Sequence, residues 1–279
     1  MSNITFGTLY LVATPIGNLS DITARAVKTL QEVDFIAAED TRVTRKLLEH
    51  LKIKKPLVSY YKHNSKSSGE KIVSRILGGE CCALVTDAGT PAVSDPGQQL
   101  VALCADNEIP MVVIPGPCAA ISALALSGLD SGRFTFEGFL PTDKKKRALH
   151  LDELKTECRT MVFYEAPHKL QRMLSDLHKS FGDRRVSISR ELTKIYEETL
   201  RSDLSEAIEY FNETQPRGEF VIVVEGAEVL SDSEGKLEDG VKAAHTLIEG
   251  GLSVRDAVKK AADETGCSRN ALYKVVISN

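Results

Sequence analysis

The feature that most constrains the fold is the alternation, over the first 120 residues, of short apolar runs with amphipathic stretches. The stretches have helical spacing, as in Ala24, Val27 and Leu30, with Ser20 as the expected N-cap. Near-continuous apolar strands that alternate with helices predict a parallel sheet covered on both faces. The predicted strands are residues 9–13, 35–38, 57–60, 83–86 and 111–114.

A second group of strands follows, at residues 134–139, 161–164, 186–189, 195–200 and 220–224. The polar strand around Glu197 and Glu198 favours a mixed sheet. The sequence thus predicts an α/β protein with two α/β domains and a small C-terminal helical module. The expected domains are 1–118 and 119–227, and the module is 240–279, after an acidic linker at 228–239.

The C-terminal module has a helical apolar face that begins at Val254, behind the expected N-cap Ser253. Gly266 is the expected end of this helix, and Ser268 the start of the next, so the pair resembles a helix-turn-helix. The module is locally basic, which suits phosphate contacts. Its expected RNA-binding residues are Lys259, Lys260, Arg269 and Lys274. The alternative is an appendage that packs or supports a dimer.

Composition excludes several classes of protein. The formal net charge of the 279 residues is -4, so RNA binding must use local basic patches. The densest such run is Lys144, Lys145, Lys146 and Arg147, although a solvated helix start explains it as well. The six cysteines form no C-x-x-C pair, which predicts free thiols and no metal site. No stretch reaches transmembrane length, so a cytoplasmic location is expected.

Ligands of an open α/β sheet bind beyond the carboxyl ends of its strands. This rule selects the loops 14–18, 39–42, 87–97 and 115–120, and the loop 87–97 is rigid because it holds two prolines and two glycines. The expected cofactor contacts include Pro15, Gly17, Asp87 and Gly89. His63 and Asn64 are further candidates for the same cleft. The chain has neither G-x-G-x-x-G nor a P-loop, which disfavours dinucleotide and nucleoside triphosphate binding.

Together these loops resemble the ribosomal RNA small subunit methyltransferase I family of the tetrapyrrole methylase superfamily. The segments that carry the resemblance are 12–19, 37–42, 85–91, 94–97, 115–120, 137–141, 163–165, 190–194, 218–219 and 271–274. They extend over nearly the whole chain. The first loop holds fewer glycines than is common in the superfamily, which favours the RNA-methylating branch over a macrocycle substrate.

The resemblance implies a homodimer of the tetrapyrrole-methylase type, with S-adenosyl-L-methionine in a cleft between the two α/β domains. It also implies methylation of the ribose 2'-hydroxyl of cytidine 1402 in 16S rRNA of the 30S subunit. By motif position, the cofactor pocket would further include Thr90, Pro91, Val93, Pro115, Gly116, Ala119, Ala166, Gly218 and Glu219.

A ribose hydroxyl is a weak nucleophile, so a nearby base or cation should assist methyl transfer. Candidates for this role are Glu39, Asp40, Glu165, Glu191 and Lys194, and the sequence does not choose among them. Two other functions stay open. One is a corrin or porphyrin-precursor methylase of the same fold, and the other is a non-catalytic RNA-binding assembly protein.

Overall fold

The computed structural model describes residues 7–61, 65–228 and 232–278. The chain divides into two compact units, Met1–Gly226 and Ala227–Asn279. The first unit contains both predicted sheets. Among the described residues, no helix is at once long enough and apolar enough to span a membrane. All six cysteines are free thiols; Cys158 is exposed and Cys118 is half-buried, whereas the other four are buried.

The first sheet is fully parallel, as predicted, with strand order β3-β2-β4-β1-β5. Its strands are β1 (Leu9–Val12), β2 (Phe35–Ala38), β3 (Leu57–Ser59), β4 (Cys82–Val85) and β5 (Met111–Ile114). Separate apolar clusters pack on its two faces, one around Ile36 and one around Phe35. The edge strand β5 differs, because Met111, Val112 and Val113 are exposed.

The helices that follow these strands are α1 (Ala24–Glu32), α2 (Thr41–His50), α3 (Ser65–Leu77), α4 (Gly97–Asp106) and α5 (Ala119–Ser127). The expected N-cap of α1 was wrong. Ser20 lies in a 3-10 turn, and the hydroxyl of Thr23 accepts the Ala26 N–H. Ser20 and Thr23 are both capping residue types, and periodicity alone does not fix a helix start to within three residues.

The second sheet is mixed, as predicted, with order β6-β7-β10-β8-β9. Its strands are β6 (Phe134–Phe139), β7 (Thr160–Glu165), β8 (Arg185–Arg190), β9 (Glu198–Asp203) and β10 (Phe220–Val224), and its helices are α6 (Lys144–Leu154), α7 (Leu170–Phe181) and α8 (Leu204–Glu213). The strand expected at 195–200 begins only at Glu198. Glu191 and Thr193 adopt left-handed φ angles of 51° and 67°, which turn the preceding segment into a loop.

The C-terminal unit contains three helices, α9 (Asp232–Glu249), α10 (Val254–Thr265) and α11 (Arg269–Ser278). The acidic linker expected at 228–239 was wrong from Asp232 onwards, where α9 begins. Leu237, Val241 and Ala244 recur at helical spacing and pack into the core of this unit, and the charges between them hid that pattern. The hydroxyl of Ser253 caps α10 and Gly266 ends it in the left-handed conformation, as predicted.

Candidate active site

A cavity of about 490 Å³ lies at the carboxyl ends of strands from both sheets. Such edges are where open α/β sheets bind ligands. β10 is antiparallel to β7, so the start of β10 lies at the same edge as the end of β7. The lining residues are Ile16, Glu39, Thr86, Asp87, Ala88, Gly89, Thr90, Val93, Ser94, Asp95, Cys118, Ala119, Phe139, Tyr164, Glu165, Ala166, Pro167, Leu192, Glu219, Phe220 and Val221.

The loop after β4 holds the other first-sheet loops in place. Backbone hydrogen bonds of 2.9 and 3.1 Å join Gly89 to Thr14 in the loop after β1. The Asp40 N–H donates to Oδ1 of Asp87, 3.1 Å away, and the Thr90 hydroxyl donates to the Pro117 carbonyl, 3.2 Å away. The four loops selected from the sequence therefore do meet on one rim.

The same loop has a constrained backbone at the cavity wall. Oδ1 of Asp95 accepts the N–H groups of Ala92 and Gly97 at 2.8 and 2.9 Å. Ala92 and Ser94 have φ angles of 68° and 64°, which non-glycine residues rarely adopt. Burial raises the pKa of the Asp95 carboxyl. Strain of this kind persists where the surrounding bonds enforce one geometry, and it concentrates at functional sites.

The charged side chains that line the cavity are acidic, and no described basic side chain is among them. Its titratable carboxyls are those of Glu39, Asp87, Asp95, Glu165 and Glu219, and no described Lys, Arg or His lines it. Burial, and then the negative charges of Glu39 and Asp40, raise the pKa of Asp87. The site thus favours a ligand that carries positive charge.

Glu165 differs from the other acids in its surroundings. The residue is only 4% exposed, and its Oε1 accepts the Ala166 N–H at 2.9 Å. Its Oε2 is buried and has no hydrogen-bond partner. An unsatisfied buried polar atom is costly, so this oxygen is available to a donor that enters the cavity.

Aromatic and aliphatic side chains form the remaining wall. The rings of Phe139 and Tyr164 lie 5.6 Å apart between centroids. Burial raises the pKa of Tyr164 to about 12, and its hydroxyl oxygen accepts the Ala120 N–H at 3.1 Å. That bond ties the start of α5 to the second sheet. Half-exposed apolar side chains such as Val93 complete a surface suited to a flat organic ring.

Seven of the expected cofactor contacts line the cavity: Asp87, Gly89, Thr90, Val93, Ala119, Ala166 and Glu219. Six lie outside its lining: Pro15, Gly17, Pro91, Pro115, Gly116 and Gly218. Three of these six, Gly17, Gly116 and Gly218, are close-packed positions. A Cβ on Gly116 would lie 2.9 Å from Cβ of Ala13, and one on Gly17 would lie 2.5 Å from Cγ of Lys194.

The five candidate catalytic residues separate into two groups. Glu39 and Glu165 line the cavity, whereas Asp40, Glu191 and Lys194 do not. Asp40 caps α2, and its hydrogen bonds with Arg42 lower its pKa to about 2. Glu191 accepts a 2.9 Å hydrogen bond from Lys194 Nζ, which lowers the pKa of the Glu191 carboxyl. These three side chains are therefore engaged with one another or with the helix end.

The basic residues expected to bind RNA are exposed, with one exception. Lys144, Lys145 and Lys146 lie exposed on the first turn of α6. Arg147 is 5% exposed, and its Nε donates to Asp176 at 2.6 Å. A buried, paired guanidinium is poorly available to a phosphate, so the structure favours a structural role for Arg147 over RNA binding. Four residues of the C-terminal unit are also exposed: Lys259, Lys260, Arg269, which pairs with Asp263, and Lys274.

The sequence reasoning missed most of the second-sheet wall, including Phe139, Tyr164 and Phe220. The strand-end rule was applied to the first sheet alone. Applied to the end of β7, it would have selected Tyr164 together with Glu165. His63 and Asn64 lie outside the described residues.

Two family models match the chain. The model described as "Tetrapyrrole (Corrin/Porphyrin) Methylases" matches residues 8–208, and the "RsmI C-terminal HTH domain" matches residues 236–278. Among solved structures, diphthine synthase has a TM-score of 0.60 at 13% identity, covering 78% of this chain and 90% of that one. Uroporphyrin-III C-methyl transferase from Thermus thermophilus, complexed with S-adenyl homocysteine, has a TM-score of 0.56 at 16% identity, covering 78% and 97%. These two likenesses establish the fold.

Curated relatives named "Ribosomal RNA small subunit methyltransferase I" are much more similar in sequence. The relative from Synechocystis sp. is 47% identical, covering 96% of this chain and 97% of its own. The Bacillus subtilis relative is 45% identical, covering 96% and 93%. The Thermotoga maritima relative is 48% identical, covering 80% of this chain and 100% of its own. Because the identity is this high over nearly the full length, and both family models match in order, the chain belongs to the ribosomal RNA small subunit methyltransferase I family, within the tetrapyrrole methylases.

Proposed function

We propose that this protein transfers a methyl group from S-adenosyl-L-methionine to the ribose 2'-hydroxyl of cytidine 1402 in 16S rRNA. Family membership supports the reaction and its substrate. The observation that carries the proposal is the cavity itself, which has five carboxyls, an aromatic wall and no described basic side chain in its lining. The proposed location is the cytoplasm, because the proposed substrate is small-subunit rRNA.

The cavity suits a cationic cofactor with a flat heterocycle. A volume of about 490 Å³ falls within the range of organic-ligand sites. S-adenosyl-L-methionine supplies a methyl group on a positively charged sulfonium, and carboxylates at close range favour that charge. The rings of Phe139 and Tyr164 also offer faces to a cation or to adenine. The expected contacts that line the cavity are the direct cofactor contacts of this proposal.

The six expected contacts outside the lining have a supporting role. Gly116 lets the loop after β5 pack against Ala13, and Gly17 lets the loop after β1 pack against Lys194. At Gly218, an added Cβ would overlap the side chain of Glu191. Pro15, Pro91 and Pro115 stiffen the same loops. These residues hold the rim, and thus the cavity shape, without touching the cofactor.

Glu165 is the candidate that accepts the proton of the 2'-hydroxyl. Methyl transfer joins the ribose oxygen to the methyl carbon, the carbon–sulfur bond breaks with its electron pair on sulfur, and the hydroxyl proton must leave. The unpartnered Oε2 of Glu165 is a buried acceptor at the cavity wall. Oε2 of Glu39 already accepts the Thr86 hydroxyl at 2.9 Å, which suits a positioning role. The loops mainly align the reacting atoms, and such alignment can lower the activation free energy by several kcal/mol.

The C-terminal unit is the proposed RNA-recruiting module. Lys259, Lys260 and Lys274 are exposed on α10 and α11, and the matched model is a helix-turn-helix domain. The Thermotoga maritima relative leaves about a fifth of this chain uncovered, close to the length of the C-terminal unit. This supports a role in recruitment that is separable from catalysis. On α6, Lys144, Lys145 and Lys146 are further proposed RNA contacts, because α6 follows β6, whose last residue, Phe139, lines the cavity.

A homodimer is the proposed assembly. Three consecutive apolar side chains, Met111, Val112 and Val113, are exposed on the edge strand β5, and Val113 is 56% exposed. An exposed apolar edge strand is an aggregation hazard unless another chain covers it. A Val113→Asp change should convert the dimer to a monomer in sedimentation experiments. A wild-type protein that sediments as a monomer would contradict the assembly.

The decisive experiment offers radiolabelled S-adenosyl-L-methionine and the protein to 30S subunits, and in parallel to uroporphyrinogen. We expect label in 16S rRNA, and nucleoside mass spectrometry should identify 2'-O-methylcytidine. Transfer to uroporphyrinogen would instead indicate a tetrapyrrole methylase. Failure to bind S-adenosyl-L-methionine would indicate that the protein is a non-catalytic RNA-binding assembly protein. We expect cofactor binding to persist in EDTA.

A further inference from the structure

A basic groove lies on the first sheet at α2 and the segment that leads into β3. Six basic residues fall between positions 42 and 55, and the one acid among them is Glu49. The whole chain carries a net charge of -4, so this concentration of positive charge is local. The groove has a volume of about 570 Å³ and is lined by Arg45, Leu48, Glu49, Ile53, Lys54, Lys55, Pro56 and Leu57.

The exposed cations in and beside the groove form no ion pairs with other residues in the described ranges. Arg45 and Lys54 line the groove, and Lys46 and Lys52 lie close to these residues in the sequence. By contrast, Arg42 at the start of α2 is bound to Asp40 at 2.6 Å. Like charges placed close together raise the energy of the native state, so an unneutralised cluster points to a partner that supplies negative charge.

The floor of the groove is apolar. Leu48 and Ile53 are buried beneath it, and Pro56 and Leu57 complete its surface. Basic side chains at the edge and an apolar floor fit a nucleic-acid backbone, in which charged phosphates alternate with less polar sugars. They fit a single inorganic anion less well. RNA-binding proteins combine these two elements, with basic side chains on phosphates and apolar surface against sugar or base.

The groove is connected to the proposed active site by α2. This helix begins one residue after Asp40, whose N–H bonds to the cavity residue Asp87. A ten-residue helix is about 15 Å long, which corresponds to roughly four nucleotide steps measured along a duplex axis. The groove lies where β3 begins, whereas the cavity lies where the parallel strands end, so phosphates in the groove would belong to nucleotides several steps from the one being methylated.

We propose that the α2–β3 groove binds the phosphate backbone of the substrate RNA several nucleotides away from the target nucleotide. The inference rests on the proposed function, since it takes RNA to be the substrate. It assigns to Arg45, Lys54 and Lys55 a part in RNA affinity that is separate from the C-terminal unit and from α6.

The test compares two double variants with the same change in net charge. Arg45→Glu/Lys54→Glu alters the groove, and Lys155→Glu/Lys179→Glu alters exposed lysines at the end of α6 and on α7. Equilibrium binding to deproteinised 16S rRNA and to 30S subunits is measured from 50 to 300 mM salt. Binding of S-adenosyl-L-methionine and thermal stability are measured beside it.

The groove variant should bind 16S rRNA about tenfold more weakly at physiological salt, and its log–log salt slope should fall by about 1.5, as expected for two lost phosphate contacts. Cofactor binding should be unchanged, and the control variant should resemble wild type. Equal RNA affinity in both variants overturns the proposal. A loss seen with 30S subunits but not with deproteinised RNA also overturns it and indicates a ribosomal protein. If the wild type methylates no RNA, the proposed function has failed instead.

Discussion

The hydroxyl of Thr86 donates a 2.9 Å hydrogen bond to Oε2 of Glu39, and this bond joins the carboxyl ends of the neighbouring strands β4 and β2 inside the cavity. Thr86 is buried, and its backbone carbonyl in turn accepts the Thr14 hydroxyl at 3.2 Å. Three strand ends are thus fixed relative to one another through side chains. The position of Glu39 depends on this bond.

Thr86→Val keeps the shape of the side chain and removes the donor. Because Glu39 would lose its fixed orientation, we expect the Kd for S-adenosyl-L-methionine to rise about fivefold to tenfold, which is the scale of one ordinary hydrogen bond. Isothermal titration calorimetry measures this change. Thr86→Ser keeps the hydroxyl and should bind like wild type. Equal affinity in the valine and serine variants would remove Glu39 from the cofactor site.

Glu165→Gln tests the proposed proton acceptor. The amide is nearly isosteric but cannot take the hydroxyl proton, so the single-turnover methylation rate should fall by about 10² to 10⁴. The affinity for S-adenosyl-L-methionine should fall far less than the rate, because four other carboxyls still line the cavity. Rapid-quench methylation of 30S subunits gives the rate. A variant with the full rate would exclude Glu165 as the base.

Two glycines at the rim should respond differently to alanine. Gly116 lies outside the cavity lining, and an added Cβ would meet Ala13, so Gly116→Ala should lower the free energy of unfolding by about 1–3 kcal/mol. Gly89 lines the cavity with a φ of 85°, so Gly89→Ala should cost about 1–2 kcal/mol and also weaken cofactor binding directly. Urea denaturation measures the loss of stability, and calorimetric titration measures the loss of cofactor affinity. Normal cofactor affinity in folded Gly89→Ala would contradict this assignment.

Substitutions of Arg147 and of its lysine neighbours should have different effects, the first on stability and the second on RNA binding. Arg147→Ala removes the closer of the two cationic partners of Asp176, the other being Arg172 at 3.8 Å. It should lower the free energy of unfolding by about 1–3 kcal/mol, a range reduced because Asp176 is partly exposed. Lys144→Ala/Lys145→Ala should change stability by less than about 0.5 kcal/mol and weaken RNA binding. Thermal unfolding and RNA titrations provide both measurements. A stable Arg147→Ala variant that failed to bind RNA would instead make Arg147 an RNA contact.

A chain that ends at Ala227 should keep the cofactor site and lose RNA affinity. The first unit contains both sheets with their own apolar cores, and the Thermotoga maritima relative covers a similar length. We expect normal binding of S-adenosyl-L-methionine and at least tenfold slower methylation at limiting 30S concentration. Saturating 30S subunits should restore the rate. Full activity at limiting substrate would show that recruitment does not depend on the C-terminal unit.

The sequence predicted the strands well because their apolar runs are continuous. Phe35–Ala38 and Met111–Ile114 were located to the residue. The prediction failed where charged residues or the backbone conformation obscured the pattern of apolar residues. Acidic residues masked the start of α9, and two left-handed residues delayed β9 to Glu198. Neither effect is visible in apolar periodicity, since both depend on packing partners distant in the chain.

For the site, the strand-end rule located the first-sheet wall, but residue type did not reveal which groups were already paired. Arg147 and Lys145 look alike in the sequence, yet one is buried against Asp176 and the other is exposed. Likewise, Glu165 ends β7 and Glu191 directly follows β8. Only the contacts distinguish the unpartnered oxygen of Glu165 from the Glu191 oxygen that accepts a bond from Lys194. Such distinctions arise from tertiary packing.

The five carboxyls that line the cavity have a consequence for how RNA can approach it. A phosphate that entered among Glu39, Asp87 and Glu165 would meet repulsion from every side, while the cofactor's cation would be attracted by the same groups. We therefore expect the sugar edge of a nucleotide to enter the cavity while its phosphates stay outside. The RNA must present the target ribose in that orientation, so the geometry of the RNA at the target is itself part of the selection.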